Sequence, residues 1–387
     1  MKRIGIIDNL VDIQNFTEKK YHTCTAAEVM AATGGNTGNV AFVFGIRQLI
    51  KNPISRAEWG WAPETVKERF DHLVICCANQ LGSHTDLGGW ADRLEQFGLP
   101  VTLVGLGAQS DNIETDPVLP DGTKHFLEYV KSQHQTGEGS NISVRGKFTQ
   151  RVLENLNVPS EPAGCPSLLI SAEHELGKEI LLRQQRSKNF KRVAVAAGNP
   201  WHGPSAALEE TLVNIVNQFN GEYILQHPES MLQVAYGERE KIPQKTIDRF
   251  LEVYTSHFNQ EEMFEWFRHN SCAFIDAPNW MRFISKFDFM IGPRYHGVAL
   301  AIQAKVPGCV ITIDSRTHEL CEGTTIKSIP LSEAIDLTSL ELLEKSRWSI
   351  SDTESFDSNR LIKARTYLGF LECNGIEPSN HLRNLCT

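Results

Sequence analysis

No stretch of this 387-residue chain approaches the roughly 20 consecutive apolar residues that a bilayer-spanning helix requires, so no membrane span is expected. A basic excess is missing too: 38 Lys and Arg stand against 47 Asp and Glu, for a formal net charge of -9. A general nucleic-acid binder needs a basic surface to neutralise phosphates, and that class is set aside. A small anionic ligand is not, because a few local arginines suffice. Metal-ligand spacing is absent. The nine cysteines form no CxxC and no Cys/His cluster, and Cys76-Cys77, Cys272 and Cys309 lie in apolar runs. They read as reduced core thiols of a cytoplasmic protein. There is neither a GxGxxG nor a Walker A sequence, so nucleotide binding gets no direct support. No internal repeat or low-complexity tract interrupts the chain. The charged start Met1-Lys2-Arg3 leads into an apolar segment that Asp8 breaks too soon for a signal peptide.

What is present is ordinary for a globular enzyme: 41% hydrophobic and 22% charged residues, over a length that suggests about two or three domains. Short apolar runs alternate with longer helical patterns. Strands are expected at Ile4–Ile7, His72–Cys77, Val101–Gly105, Arg192–Ala196, Tyr223–Gln226, Cys272–Ile275, Phe287–Ile291 and Cys309–Ile313. Helices are expected at Asn39–Ile50, Leu87–Phe97, Phe148–Leu156, Ala206–Phe219, Met281–Lys286 and His296–Ala304. That alternation predicts an α/β protein with parallel sheets covered on both faces. The polar, helix-prone passage Glu173–Lys188 precedes a fresh run of strands near Lys191. This divides the chain into a Rossmann-like, doubly wound domain over 1–175 and a second over 190–330. The remainder, 331–387, is expected to be a helical tail packed across both, since Leu361, Ile362, Ala364, Tyr367, Leu368 and Leu371 repeat at helical spacing.

Ligands of open parallel sheets bind beyond the carboxyl ends of the strands, which turns the strand list into a site map. The richest position is Ile291-Gly292-Pro293-Arg294-Tyr295-His296-Gly297, where an apolar strand is stopped by Gly-Pro and an alanine-rich helix begins. Arg294 and His296 thus sit at a helix amino terminus, where free N–H groups and the helix dipole favour anions. Arg145, in Ser143-Val144-Arg145-Gly146, is a second cation at a strand-to-helix turn, and its planar fork suits a carboxylate or phosphate. The loop Gly34-Gly35-Asn36-Thr37-Gly38-Asn39 is either an anion or sugar loop carrying Asn36 and Asn39, or a plain turn with Asn39 as helix cap. Asn79, Gln80 and Gln109 follow two more strands and could hydrogen-bond a hydroxyl-rich ligand, or simply tie loops together. Asn199, His227, Ser315 and Arg316 occupy the corresponding ends in the second half.

The block from Phe283 through Arg294-Tyr295-His296-Gly297 to Gln303-Ala304-Lys305-Val306-Pro307 resembles the polysaccharide pyruvyl transferases, with their Arg-x-His at a strand end, small-residue helix and following Val-Pro. Ser143-Val144-Arg145, Asn36-x-Gly38-Asn39 and Gly164-Cys165-Pro166-Ser167 are similar to further elements of that family, in the family's order over most of residues 1–325. The resemblance implies two Rossmann-type domains in a GT-B-like arrangement with the site in the cleft between them. It implies phosphoenolpyruvate as donor substrate, no separate cofactor and no metal, and a glycan or lipid-linked glycan of a surface polysaccharide as acceptor. It implies a cytoplasmic location, with transient association at the inner face of the membrane. Arg294 and Arg145 would hold the donor's carboxylate and phosphate, and His296 would be the general acid. The family often has Asp after the first arginine and Ser three further on; Gly146 and Thr149 stand here, which puts the support of Arg145 in question. Two other readings stay open: a glycosyltransferase of the same architecture that uses a nucleotide sugar, and a non-catalytic glycan-binding relative.

Overall fold

The structure, a computed structural model, describes residues 1–10, 24–110, 112–134, 139–187, 189–254 and 258–387. Two parallel sheets organise it. The first contains β1 (Ile4–Ile7), β2 (Ile54–Arg56), β3 (His72–Cys76), β4 (Val101–Leu106) and β5 (Ile142–Val144), in the order β2-β1-β3-β4-β5. The second contains β6 (Val193–Ala196), β7 (Glu222–Ile224), β8 (Ser271–Cys272), β9 (Phe289–Gly292), β10 (Gly308–Thr312) and β11 (Ser328–Pro330), in the order β11-β10-β9-β6-β7-β8. Both are Rossmann-like doubly wound orders. The winding reverses between β1 and β3 in one sheet and between β6 and β9 in the other, so each sheet opens a crevice at that point.

The apolar runs become strands because helices cover both faces, leaving no polar side. Every residue of β1, β3, β4, β5, β6 and β9 is buried. The register places Ile4 opposite His72 and Leu73 opposite Val101 in the first sheet, and Val193 opposite Phe289 in the second. Several differences from the sequence expectation involve short edges. β2 and β11 have three residues each, too few to display a period, and Pro330 ends an edge strand where its missing N–H costs nothing. The run Cys272–Ile275 pairs only through Ser271–Cys272; Phe274 instead leaves the sheet to stack on Trp280, with ring centroids 5.3 Å apart.

One apolar cluster belongs to both sheets. It runs from Ile4, Val74 and Val104 through Val40, Phe42 and Ile46 of helix Asn39–Leu49 and through Leu168 and Leu169. It continues into Val298 and Ile302 of helix Tyr295–Gln303 and on to Ala194, Ala196 and Met290. The outer faces of the sheets have separate cores. Helix Ile350–Cys373 lies across the join. Its Arg360 Nε donates to Leu168 O at 3.1 Å and its Tyr367 hydroxyl to Gly164 O at 2.7 Å. Asn359 of the same helix reaches Gly323 O at 3.1 Å, and Trp348 just before it donates to Gly308 O at 2.8 Å. Among the described residues no helix is long and apolar enough to cross a membrane.

Candidate functional site

β9 ends where its backbone must turn sharply against β6. Gly292 has φ of 148°, and a Cβ there would collide with Ala196 O. Only glycine meets both demands. Pro293 then forbids a further ladder bond, and Arg294 becomes the N-cap of helix Tyr295–Gln303. β5 likewise delivers Arg145, with Gly146 as N-cap of helix Lys147–Glu154. The two strand ends meet in a cavity of about 340 Å³ between the sheets. From the first half it is lined by Asn36, Asn39, Asn79, His84, Gln109 and Arg145, and from the second by Gln226, Arg294, His296, Arg316, Thr317 and Leu320, among others.

The cations are held in an unusual way. Arg145 is buried, with Nε on Gly105 O at 3.0 Å, Nη2 on Cys77 O at 3.4 Å and Nη1 on Asn79 Oδ1. Arg294 directs Nη2 at His227 O (3.0 Å) and Gly198 O (3.4 Å), while its Nε has no partner. Backbone carbonyls and one amide thus fix both guanidiniums, and among the described residues neither is ion-paired with a carboxylate. Burial and the neighbouring Arg316 push Arg294 down to about 10, so it remains charged at neutral pH. Arg316, by contrast, pairs with Asp314, its Nε 2.8 Å from Oδ2. Positive charge at a cavity wall with no direct carboxylate partner is what an anionic ligand needs.

His296 lies 5.6 Å from the Phe42 ring between centroids, with Nε2 3.6 Å from Cys165 Sγ. Burial and then the charge of Arg145 push its imidazole down to about 3. It is therefore neutral while the cavity is empty. An anion against Arg145 and Arg294 would act in the opposite direction, favouring the imidazolium.

The helix that follows Arg145 is braced from the other half of the molecule. Glu319, buried on helix Ser315–Thr324, accepts from Thr149 N at 2.6 Å and from the Thr149 hydroxyl at 2.8 Å. Thr149 Oγ1 in turn accepts from Ala108 N at 2.8 Å. A Cβ on Gly146 would come within 2.6 Å of Glu319 Cγ. A carboxylate from the second half thus sits beside the turn after Arg145, and Gly146 leaves room for it.

The remaining sequence candidates divide. Asn36, Asn39, Asn79, Gln109 and Arg316 line the cavity with Arg145, Arg294 and His296. Asn39 is not the helix cap: Gly38 holds that position, and Asn39 Nδ2 ties back to Thr33 O at 2.9 Å. Four others do not line it. Gln80 Oε1 accepts from Ala78 N, and Asn199 Oδ1 accepts from Trp201 N, each closing its own loop. His227 Nδ1 contacts Gly35 O at 3.0 Å, and Ser315 Oγ bonds Ser110 O at 2.8 Å, so both serve contacts between the halves. Sequence reasoning missed His84, whose Nε2 meets Asn79 O at 2.9 Å, and Gln226, a buried side chain whose Nε2 has no partner. Gln226 and His227 are neighbours at one strand end, and only the first faces the cavity. Among the described residues no group of three or more His, Cys, Asp or Glu is placed to hold a metal.

A family model described as polysaccharide pyruvyl transferase matches residues 8–315. No curated protein matches the sequence. Among solved structures, a Listeria monocytogenes protein assigned as a UDP-N-acetylglucosamine 2-epimerase aligns with a TM-score of 0.46 at 11% identity, over 96% of this chain and 97% of that one. The UDP-GlcNAc 2-epimerase of Neisseria meningitidis, bound to UDP-GlcNAc, aligns with a TM-score of 0.43 at 8% identity, over 95% and 100%. At such values no property of this chain is taken from either.

Proposed function

The chain belongs to the polysaccharide pyruvyl transferase family, and on that premise we propose that it transfers the pyruvyl group of phosphoenolpyruvate to two hydroxyls of a glycan sugar, forming a ketal. The observation that supports this reading most is the pairing of two guanidiniums lacking carboxylate partners with a neutral imidazole in one interdomain cavity. Phosphoenolpyruvate carries about three negative charges on adjacent carboxylate and phosphate groups. Arg145 and Arg294 answer that charge with free N–H groups, and Gln226 Nε2 offers another donor.

The chemistry balances without any further reactant. The enol carbon gains a proton and becomes a methyl group, one sugar hydroxyl adds at C2, phosphate leaves, and the second hydroxyl closes the ketal. The two hydroxyl protons supply the methyl and the released hydrogen phosphate. A group that is neutral when the site is empty and protonated when the donor is in place suits the proton-transfer role, which we give to His296. Its rise on binding follows in sign from the anion's charge. The acceptor is taken to be a polysaccharide precursor, either free or lipid-linked, met in the cytoplasm or at the inner membrane face.

Phosphate release from phosphoenolpyruvate, followed by phosphorus NMR in the presence and absence of glycan acceptors, tests the reading. Release that depends on acceptor is expected. Thermal protection by a nucleotide diphosphate sugar, with none by phosphoenolpyruvate, would replace it with a glycosyl transfer. Binding of acceptor with no release under any condition would leave a glycan-binding protein.

A further inference from the structure

Behind Arg294, away from the cavity, lies a buried acid that the scheme above does not use. Glu209 is the second residue of helix Leu208–Gln218 and is fully buried. Its Oε2 accepts from the Tyr223 hydroxyl of β7 and, at 3.4 Å, from the Tyr254 hydroxyl of helix Gln244–Tyr254. The two hydroxyls are 3.1 Å apart. Oε1 has no well-formed hydrogen bond and lies against Gly198, where any Cβ would collide with it. Gly198 is the residue whose carbonyl receives Arg294 Nη2. So one short loop, at the end of the strand where the second sheet reverses, carries Arg294 on one side and Glu209 on the other. The guanidinium and the carboxyl form no direct ion pair, yet each acts on the other's charge.

Among the described residues, every group that faces Glu209 can be named. Tyr223 and Tyr254 are neutral, since burial pushes both hydroxyls well up. Among the described residues Arg294 is the one charge that acts on it. Arg249, on the helix of Tyr254, turns instead to Pro200 O and Glu252. Burial lifts Glu209 to about 7, against the pull of the Tyr223 hydroxyl and the Arg294 charge.

We infer that Glu209 is the positioning residue of Arg294, balancing its charge while the cavity is empty and taking up a proton when an anion occupies it. The inference deepens the donor-site reading and rests on an anion binding at Arg294. An incoming anion supplies the negative charge that Glu209 had supplied, so the carboxylate gains a proton from solvent. Linkage then fixes the sign: uptake on binding means weaker binding as pH rises above neutrality, by up to tenfold per unit for one proton.

Calorimetry in two buffers of different ionisation enthalpy, between pH 7 and 9, reads this directly. The ligands are phosphoenolpyruvate and, separately, sulfate, which does not titrate in that range. Wild type is expected to take up protons with either ligand. Glu209→Gln is expected to lose the part due to this residue, to bind with a flatter pH profile and to bind more tightly than wild type at pH 8.5. Tyr223→Phe removes a bond that favours the ionised carboxyl and should shift the profile upward in pH, which guards against Glu209→Gln failing to fold. Unchanged uptake and unchanged slope in either variant would overturn the assignment, as would wild type binding sulfate with no uptake. Failure of phosphoenolpyruvate alone, with sulfate behaving as described, would sink the proposed donor and leave Glu209 in its role.

Discussion

Glu319→Ala tests the cross-domain brace on the helix after Arg145 most directly. The wild-type carboxylate accepts two hydrogen bonds from Thr149, one from the backbone and one from the side chain, in a buried setting. Bonds to a charged acceptor contribute about 1.5–3 kcal/mol each, and a buried N–H left unmade costs about 1–3 kcal/mol. Against this stands the burial of the carboxyl itself, which pushes its titration above the usual carboxylate range and so destabilises the ionised form. We expect Glu319→Ala to cost about 2–4 kcal/mol, lowering the melting temperature by about 3–6 °C. Because Arg145 lies just before the capped helix, the donor KM should rise as well. Glu319→Gln separates charge from shape. A carboxyl raised in the folded state contributes stability that is fully present below the unfolded value and lost as pH rises through the folded one. The amide escapes that loss, so Glu319→Gln should gain on wild type as pH increases from acid to neutral. Differential scanning fluorimetry across pH, with initial rates on the same samples, measures both effects. An alanine variant as stable as wild type, or a glutamine variant that falls behind with rising pH, would refute the reasoning.

Three further outcomes are expected. His296→Ala should lower kcat by about 10²–10⁴-fold while calorimetric donor affinity largely survives; a wild-type rate would remove it from the proton transfer. Arg294→Lys keeps the charge but loses the planar fork, so phosphoenolpyruvate should bind about 10–100-fold more weakly by titration, and unchanged affinity would place the donor elsewhere. Gln226→Leu replaces a buried amide whose Nε2 is unpartnered, so stability should hold or rise by about 1 kcal/mol while donor KM increases about tenfold; loss of stability without a change in KM would make Gln226 purely structural.

The parts of the fold that could be read in advance are those where burial is complete. Val193–Ala196 and Phe289–Gly292 stand out as apolar runs because both sheet faces are covered. Ile54–Arg56 and Ser328–Pro330 do not, since three residues at a partly exposed sheet edge are too few to carry a pattern. In the site, Arg294 and His296 were legible because one strand end presents both. His227 was a reasonable choice over Gln226, but successive residues leaving a strand point in opposite directions, and the sequence alone does not say which one faces the ligand. Glu319 was beyond reach altogether, for its partner Thr149 is 170 residues away and no local motif relates them.

The same long-range logic explains how two cations can be kept without counter-ions in the wall. A buried guanidinium without a counter-ion is costly, so its surroundings must hold its donors on fixed acceptors. Here they are constrained from three directions. The carbonyls that hold Arg145 and Arg294 lie near the carboxyl ends of sheet strands or in the loops just beyond them. The apolar cluster shared by both sheets fixes helix Asn39–Leu49 against helix Tyr295–Gln303, directly beneath His296. Helix Ile350–Cys373 then ties the two halves together through Arg360 and Asn359. The seam thus helps to hold Arg145 and Arg294 at the cavity wall without direct carboxylate partners.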